Sequence, residues 1–163
     1  MFVNRDAEPV IYRKSHLYGD YERGLFTPAR PGNRIVEIRG LKFGMLICYD
    51  VEFPENVRRL ARAGVDAVLV PTALPAGPSG NFIANHMIQV RAFENQLFVA
   101  YVNHAGADDR FTFAGLSRIA APDGSLVAAC DDDVERLMFA DIDRTAFSAS
   151  IESNTYLKDL GIA

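Results

Sequence analysis

The sequence predicts an α/β fold with α+β character, built around short buried strands that alternate with amphipathic helices. Three observations carry this. First, compact apolar runs recur without polar alternation: Phe43, Met45, Leu46 and Ile47, then Ala67–Val70, then Leu97–Val102. Runs of that length and pattern fit strands covered on both faces. Second, helical periodicity fills the gaps. Pro54 and Gly64 frame one helix with Val57, Leu60 and Ala61 on its stripe, and Phe82, Ile83, Met87, Val90 and Phe93 mark another. Third, strand–helix–strand order requires a crossover connection and hence a parallel pair.

Taken in order, residues 1–9 are polar and end in Pro9, and a strand is expected over Val10–Tyr12, ending near Lys14. Residues 18–34 read as a long loop rich in Gly, Pro and charge, and loops of that length are commonly functional. Ile35, Val36 and Ile38 begin a hairpin that turns at Gly40 into a strand over Lys42–Cys48. The strand Ala67–Val70 is expected to stop at Pro71. A second loop covers Thr72–Gly80, and Asn81 is suited to cap the following helix. Further on, Ser117–Ala121 and Leu126–Ala129 flank Pro122-Asp123-Gly124, a turn in which Pro fixes φ and Gly accepts positive φ. A strand is expected over Arg136–Ile142, a short helix over Arg144–Asn154, and a mobile tail after it.

The chain has 163 residues, 49% of them apolar, enough for one domain with a core. Its net charge is −4 and its basic residues are scattered, which argues against nucleic acid as a partner. No apolar run is long enough to span a bilayer, and the first residues lack a signal-peptide layout. Cys48 and Cys130 are far apart and outside any C-x-x-C spacing, so a reduced, cytoplasmic setting is expected. His16, His86 and His104 show no metal-ligand spacing, and no cofactor is implied.

Cys48 is the residue on which a chemical reading centres. It ends a buried strand just before a strand-to-helix turn, and ligands in α/β sheets collect at the carboxyl ends of strands. A cysteine in such a place is otherwise core filler. Lys14, at a predicted strand end, is either a solvated edge charge or part of the same site.

The stretches YRKSHLYGDYERGLFTP, FGMLICYDVEFPE, DAVLVPTA, QVRAFENQLFVAYVN and AGLSRIAAPDGSLVA together resemble the nitrilase, or carbon–nitrogen hydrolase, superfamily, and specifically its amidase-like branch. The resemblance runs from Tyr12 to Ala128 in the family's order. It implies a four-layer α/β/β/α sandwich and a Glu–Lys–Cys triad that hydrolyses amides or nitriles. Carried over by motif, Cys48 is the nucleophile, Lys14 the lysine, and Glu22 a second glutamate that positions lysine and substrate. The motif also places Tyr49, Asp50, Phe53, Thr72 and Ala73 around the substrate, although Asp50 and Thr72 are equally suited to satisfying loop backbone.

The chemistry follows from residue type. The thiolate is the attacking species, and a neighbouring ammonium and a helix N-terminus both favour it. Attack on an amide carbon forms an oxyanion, for which the Tyr49 N–H and the Lys14 side chain are candidate donors. Ammonia leaves, and water releases the acid from an acyl-thioester.

The general-base glutamate of the pattern normally lies well upstream of the lysine. Asp6 and Glu8 are the only acids before Lys14, and neither fits that motif. The chain is therefore expected to be an N-terminally truncated form of the domain, weakly active or inactive alone and prone to pairing at exposed strand edges.

The substrate class expected is a small aliphatic or amino-substituted primary amide. A carbamoylase or ureidopropionase-like activity, a nitrile-hydrolysing activity, and an inactive fragment or partner subunit remain as alternatives. Arg91, Glu94 and Asn95 read as buried polar anchors, and Cys130 as an incidental thiol near solvent. A homodimer through the helices Pro54–Ala63 and Asn81–Asn95 is implied by the resemblance.

Overall fold

The computed structural model describes residues 1–4 and 7–161. Strands β1 (Phe2–Asn4) and β2 (Ala7–Val10) form a separate antiparallel ribbon. Helix α1 (Gly19–Leu25) follows. The main sheet has six strands in sequential order: β3 (Ile35–Ile38), β4 (Leu41–Met45), β5 (Ala67–Thr72), β6 (Phe98–Asn103), β7 (Arg118–Ala120) and β8 (Leu126–Ala129). The pairs β4–β5 and β5–β6 are parallel and the others antiparallel. Each parallel pair is joined through helix, as the predicted crossovers require: α2 (Pro54–Arg62) in one case, and in the other α3 (Pro78–Phe82), a π turn over Ile83–Met87, and α4 (Ile88–Asn95).

The main core lies between one face of the sheet and these helices. Val57 and Leu60 of α2 and Ile88 and Ala92 of α4 pack with Val68, Val70, Val99 and Tyr101 of the central strands. Gly44 is what lets α2 settle on β4. A Cβ built there would stand 2.9 Å from Leu60 Cδ1, closer than packed carbons allow. On the opposite face Ala67, Phe98 and Ala121 meet Ile142 and Phe147 from the C-terminal segment, while Val102, which alternates with the core-facing Tyr101, is 55% exposed. Among the described residues there is thus one large sheet with its helical layer on one face, the mixed α/β arrangement expected of part of the sandwich that the resemblance implies.

Several sequence expectations are corrected. The early strand ends at Val10, and Ile11–Ser15 is irregular because Tyr12 and Ser15 direct their donors at Asp50 rather than into a ladder. The loop 18–34 contains α1, which buries no side chain and so lacks apolar periodicity; Glu22 reaches back to the N–H of Tyr18 (2.6 Å). The strand expected over Lys42–Cys48 stops at Met45. Strand β5 does not stop at Pro71 but runs to Thr72. By the alternation of the ladder, Pro71 shares the side of Leu69, whose carbonyl accepts from Leu46 N (3.1 Å). Beyond that bond β4 has ended, so Pro71 interrupts no rung of the β4–β5 ladder.

The helix expected from Asn81 starts at Pro78, with Gly77 at the N-cap. No strand forms over Arg136–Ile142; Leu137 and Phe139 are more than 80% exposed, and among the described residues nothing pairs with the outer edge of β8. The tail carries a short helix, α6 (Tyr156–Asp159), after a 3₁₀ turn (Arg144–Phe147) and α5 (Ser148–Ser153). It is tied to α4 by the bond from Asn154 Nδ2 to Phe93 O (3.1 Å). Cys130 is buried rather than near solvent. Asp6 lies outside the described residues.

Gly80 supplies a test of the loop leading into α3. Helical Gly→Ala changes ordinarily stabilise by about 1 kcal/mol. Here the new Cβ would stand 2.6 Å from the Pro75 carbonyl oxygen. Gly80→Ala is therefore expected to destabilise by about 1–3 kcal/mol, read as a lowered urea midpoint. A midpoint at or above that of the parent would show that the loop yields freely.

Candidate active site

Leu46 and Ile47 carry the chain off the end of β4, and Cys48 follows with φ +49° as the first residue of a 3₁₀ turn over Cys48–Glu52. A left-handed conformation at a non-glycine residue costs of order 1–3 kcal/mol and persists where the surroundings enforce it. The surroundings here are explicit. Asp50 accepts from Ile47 N (3.2 Å), Asn56 Nδ2 donates to Asp50 O (2.8 Å), and Arg91 donates from Nε to Val51 O (2.9 Å) and from a terminal nitrogen to Glu52 O (2.7 Å). The RAFEN anchor thus holds the turn that presents the thiol. If the conformation at residue 48 is strained, Cys48→Gly is expected to be at least as stable as Cys48→Ala, although alanine ordinarily leads by ~0.5–1 kcal/mol. Urea unfolding of the two variants decides it, and a clear lead for alanine would discount the strain.

The backbone N–H groups of Tyr49 and Ala73 favour the charged form of the Cys48 sulfur. Burial pushes the thiol above its ordinary range. Lys14 and these two N–H groups pull the other way without offsetting it, and Glu22 adds to the rise. The lysine and the turn do favour the thiolate as their chemistry requires, but desolvation outweighs them.

Lys14 Nζ contacts both carboxylate oxygens of Glu22 at 2.6 Å. The segment bearing Lys14 is fixed by Asp50, which is fully buried. Its carboxylate accepts from Tyr12 Oη (2.8 Å), Ser15 Oγ (2.8 Å), Ser15 N (3.2 Å) and His16 N (2.8 Å), besides Ile47 N. One carboxylate therefore ties the lysine segment to the cysteine turn.

Two cavities of about 610 Å³ each meet at Cys48, Glu22 and Ala73. The first is also lined by Arg13, Lys14, Ile47, Pro71 and Thr72. The second is lined by Tyr18, Tyr21, Tyr49, Glu52, Phe111 and Phe113 among others. The structure thus brings Cys48, Lys14, Glu22, Tyr49, Thr72 and Ala73 together. It does not place Asp50 or Phe53 on either cavity. Asp50 is consumed by the clamp, and Phe53 stacks on His16 (3.9 Å between centroids) with its edge to Tyr49. Thr72 also donates to Val70 O (3.2 Å).

Glu52, Tyr18, Tyr21, Phe111 and Phe113 were not singled out from the sequence. Glu52 lies only four residues after Cys48 within the same turn, which was the available signal. The aromatic residues of the loop 104–116 gave none.

The sequence pattern of the carbon–nitrogen hydrolase family matches residues 1–150. The chain belongs to that family. It is 46% identical over 150 residues to a Pseudomonas protegens protein described as "Hydrolase in pqqF 5'region", covering 91% of this chain and 51% of that protein. It is 40% identical over 165 residues to an (R)-stereoselective amidase of a Pseudomonas species, covering 98% and 57%.

Among solved structures, a cysteine-to-alanine mutant of the amidase of Nesterenkonia sp. AN1 in complex with butyramide superposes with TM-score 0.71 at 34% identity, covering 75% of this chain and 46% of that one. A glutamate-to-glutamine mutant of that amidase, TM-score 0.71 at 35% identity over 75% and 46%, carries the acetamide moiety of fluoroacetamide covalently on its active-site cysteine. The chain spans about half the length of the curated relatives it matches. Among the described residues no helix is long and apolar enough to cross a membrane.

Proposed function

We propose that the chain carries the nucleophilic half of an amidase site, in which Cys48 attacks the carbonyl of a small primary amide, releases ammonia and holds the acyl group as a thioester. The observation that carries this reading is that Cys48 lines one cavity with Lys14 and Glu22, themselves paired at 2.6 Å, just past the carboxyl end of β4. The N–H groups of Tyr49 and Ala73 and the Lys14 ammonium are the donors available to a developing oxyanion. Glu22 holds Lys14, and the proton lost by the thiol leaves with the ammonia. The Nesterenkonia amidase, with butyramide bound in one structure and an acetamide moiety on its cysteine in another, supports small amides as the class.

The test is incubation of the chain with butyramide and with fluoroacetamide, reading ammonia release and the intact mass of the Cys48 peptide. A covalent adduct on Cys48, absent in Cys48→Ala, is the expected result. Absence of both adduct and ammonia removes the amidase reading for this chain.

One observation favours a second reading. Arg13 lines the first cavity beside Lys14 and offers a partner for a carboxylate on the substrate, as a carbamoylase-like activity needs. A carboxylate-bearing amide that outcompetes its neutral analogue would favour it.

A further inference from the structure

The second cavity differs in kind from the first. Its lining includes the carboxylates of Asp20, Glu22, Glu52 and Asp108 and no lysine or arginine. Three of the four are already engaged. Asp20 pairs with Arg23 (3.2 Å), Glu22 with Lys14, and Asp108 accepts from the N–H groups of Arg110 and Phe111.

Glu52 is the exception. It is half-buried, and among the described residues its side chain makes no hydrogen bond. Burial pushes its carboxyl above the ordinary range; Arg91 and Lys14 act against this through their charge alone, the hydrogen bonds of Arg91 going to Val51 O, Glu52 O and Glu94. A carboxylate that gives up hydration without a hydrogen-bond partner is costly, and a cation or strong donor arriving from the cavity would relieve that cost.

The walls point the same way. Tyr18 and Tyr49 meet edge to face at 5.2 Å, and Tyr21 meets Phe111 at 6.1 Å. Aromatic faces attract cations, and Arg110 already lies 5.0 Å from the centroid of Tyr21. The cavity's volume falls within the ~300–1,000 Å³ of sites that enclose sizeable ligands, more than an unsubstituted short amide needs.

We propose that this cavity receives the acyl part of an amide bearing a protonated amine, with Glu52 as its counter-charge and the tyrosine rings as its walls. The proposal rests on the amidase reading of Cys48 and narrows it: the substrate is an amino-substituted acyl amide, and an acidic substituent in this cavity is repelled.

The experiment measures protection of Cys48 from iodoacetamide by three isosteric series: β-alaninamide and its longer ω-amino homologues, butyramide and its alkyl homologues, and succinamate and its homologues. The best ω-amino amide is expected to protect at about one-tenth the concentration of the alkyl amide of equal length, with the acid weakest. In Glu52→Gln that ratio should fall to within about twofold, and in the parent chain it should shrink as salt is raised, since screening weakens charge pairing and not apolar contact. The salt series needs no variant, so misfolding of Glu52→Gln does not blunt the test. Equal protection by amine and alkyl series, strongest protection by the acid, a salt-independent ratio, or no protection by any amide overturns the proposal. Selective protection without ammonia release keeps the cation site and discards the hydrolase reading instead.

Discussion

Asp50→Ala is expected to destabilise the chain by about 3–5 kcal/mol, the range for stripping one partner from a buried charged network. The carboxylate is fully buried and accepts from five backbone and hydroxyl donors on two segments, Tyr12–His16 and Ile47. Alanine leaves those donors facing one another in a space closed to bulk water, and each unpaired buried donor costs about 1–3 kcal/mol. Asp50→Asn keeps the shape but turns an N–H₂ toward groups that are themselves donors, so it is expected to lie between the two. Urea midpoints order the three. If Asp50→Ala lies within about 1 kcal/mol of the parent, the clamp contributes far less than its geometry indicates. Tyr12 is part of the same prediction: burial pushes its phenol well above the ordinary range, so it stays a neutral donor to Asp50 throughout the accessible pH range.

Lys14→Met is expected to slow alkylation of Cys48 by about tenfold at neutral pH, equivalent to one pH unit of lost thiolate stabilisation. Two changes act together. The ammonium that favours the thiolate disappears, and the Glu22 carboxylate, which disfavours it, loses its partner. The rate–pH profile for iodoacetamide should therefore move to higher pH. Cys130 serves as an internal standard, because its burial keeps it slow until the chain unfolds. In the parent chain Cys48 should react faster than Cys130 even at pH 6.

The sign of the linkage also follows. The folded state holds the Cys48 proton more tightly than an ordinary thiol does, so the associated stability is complete at neutral pH. It is lost as pH rises through the folded thiol's raised range. An unshifted profile in Lys14→Met would mean that Lys14 does not act on the thiol.

The order of elements was largely legible because burial in this sheet is written in runs. Ile35–Ile38, Ala67–Thr72, Phe98–Asn103 and the hairpin across Pro122-Asp123-Gly124 all fall where short apolar segments meet turn residues. The misses have physical reasons. Helix α1 buries nothing and so leaves no apolar stripe. The alternation at Leu137 and Phe139 suggested a strand, but a strand needs a neighbour, and none is present among the described residues.

The site divides in the same way. The convergence of Cys48, Lys14 and Glu22 was expected from motif order. For Asp50 the sequence left two roles open, substrate contact and satisfaction of loop backbone, because it does not tell which of two polar roles a carboxylate takes until its donors are located. Glu52 carries no sequence signal beyond its place in the turn, because the lack of a side-chain hydrogen bond among the described residues is visible only in three dimensions.

Pro71 has a consequence for how the reactive gap stays open. Parallel strands extend by adding donors in step, and on the β4 side the next donor due after Leu69 would be the N–H of residue 71. Proline has none, so Leu46 gains no bond that would draw Ile47 and Cys48 into line with β5. The β4–β5 ladder ends there, and Pro71 becomes part of the wall of the first cavity. A single missing hydrogen thus works as a stop on zippering. A residue with an N–H at this position would let the sheet grow by one more rung, at the expense of the opening in which the thiol meets its partner.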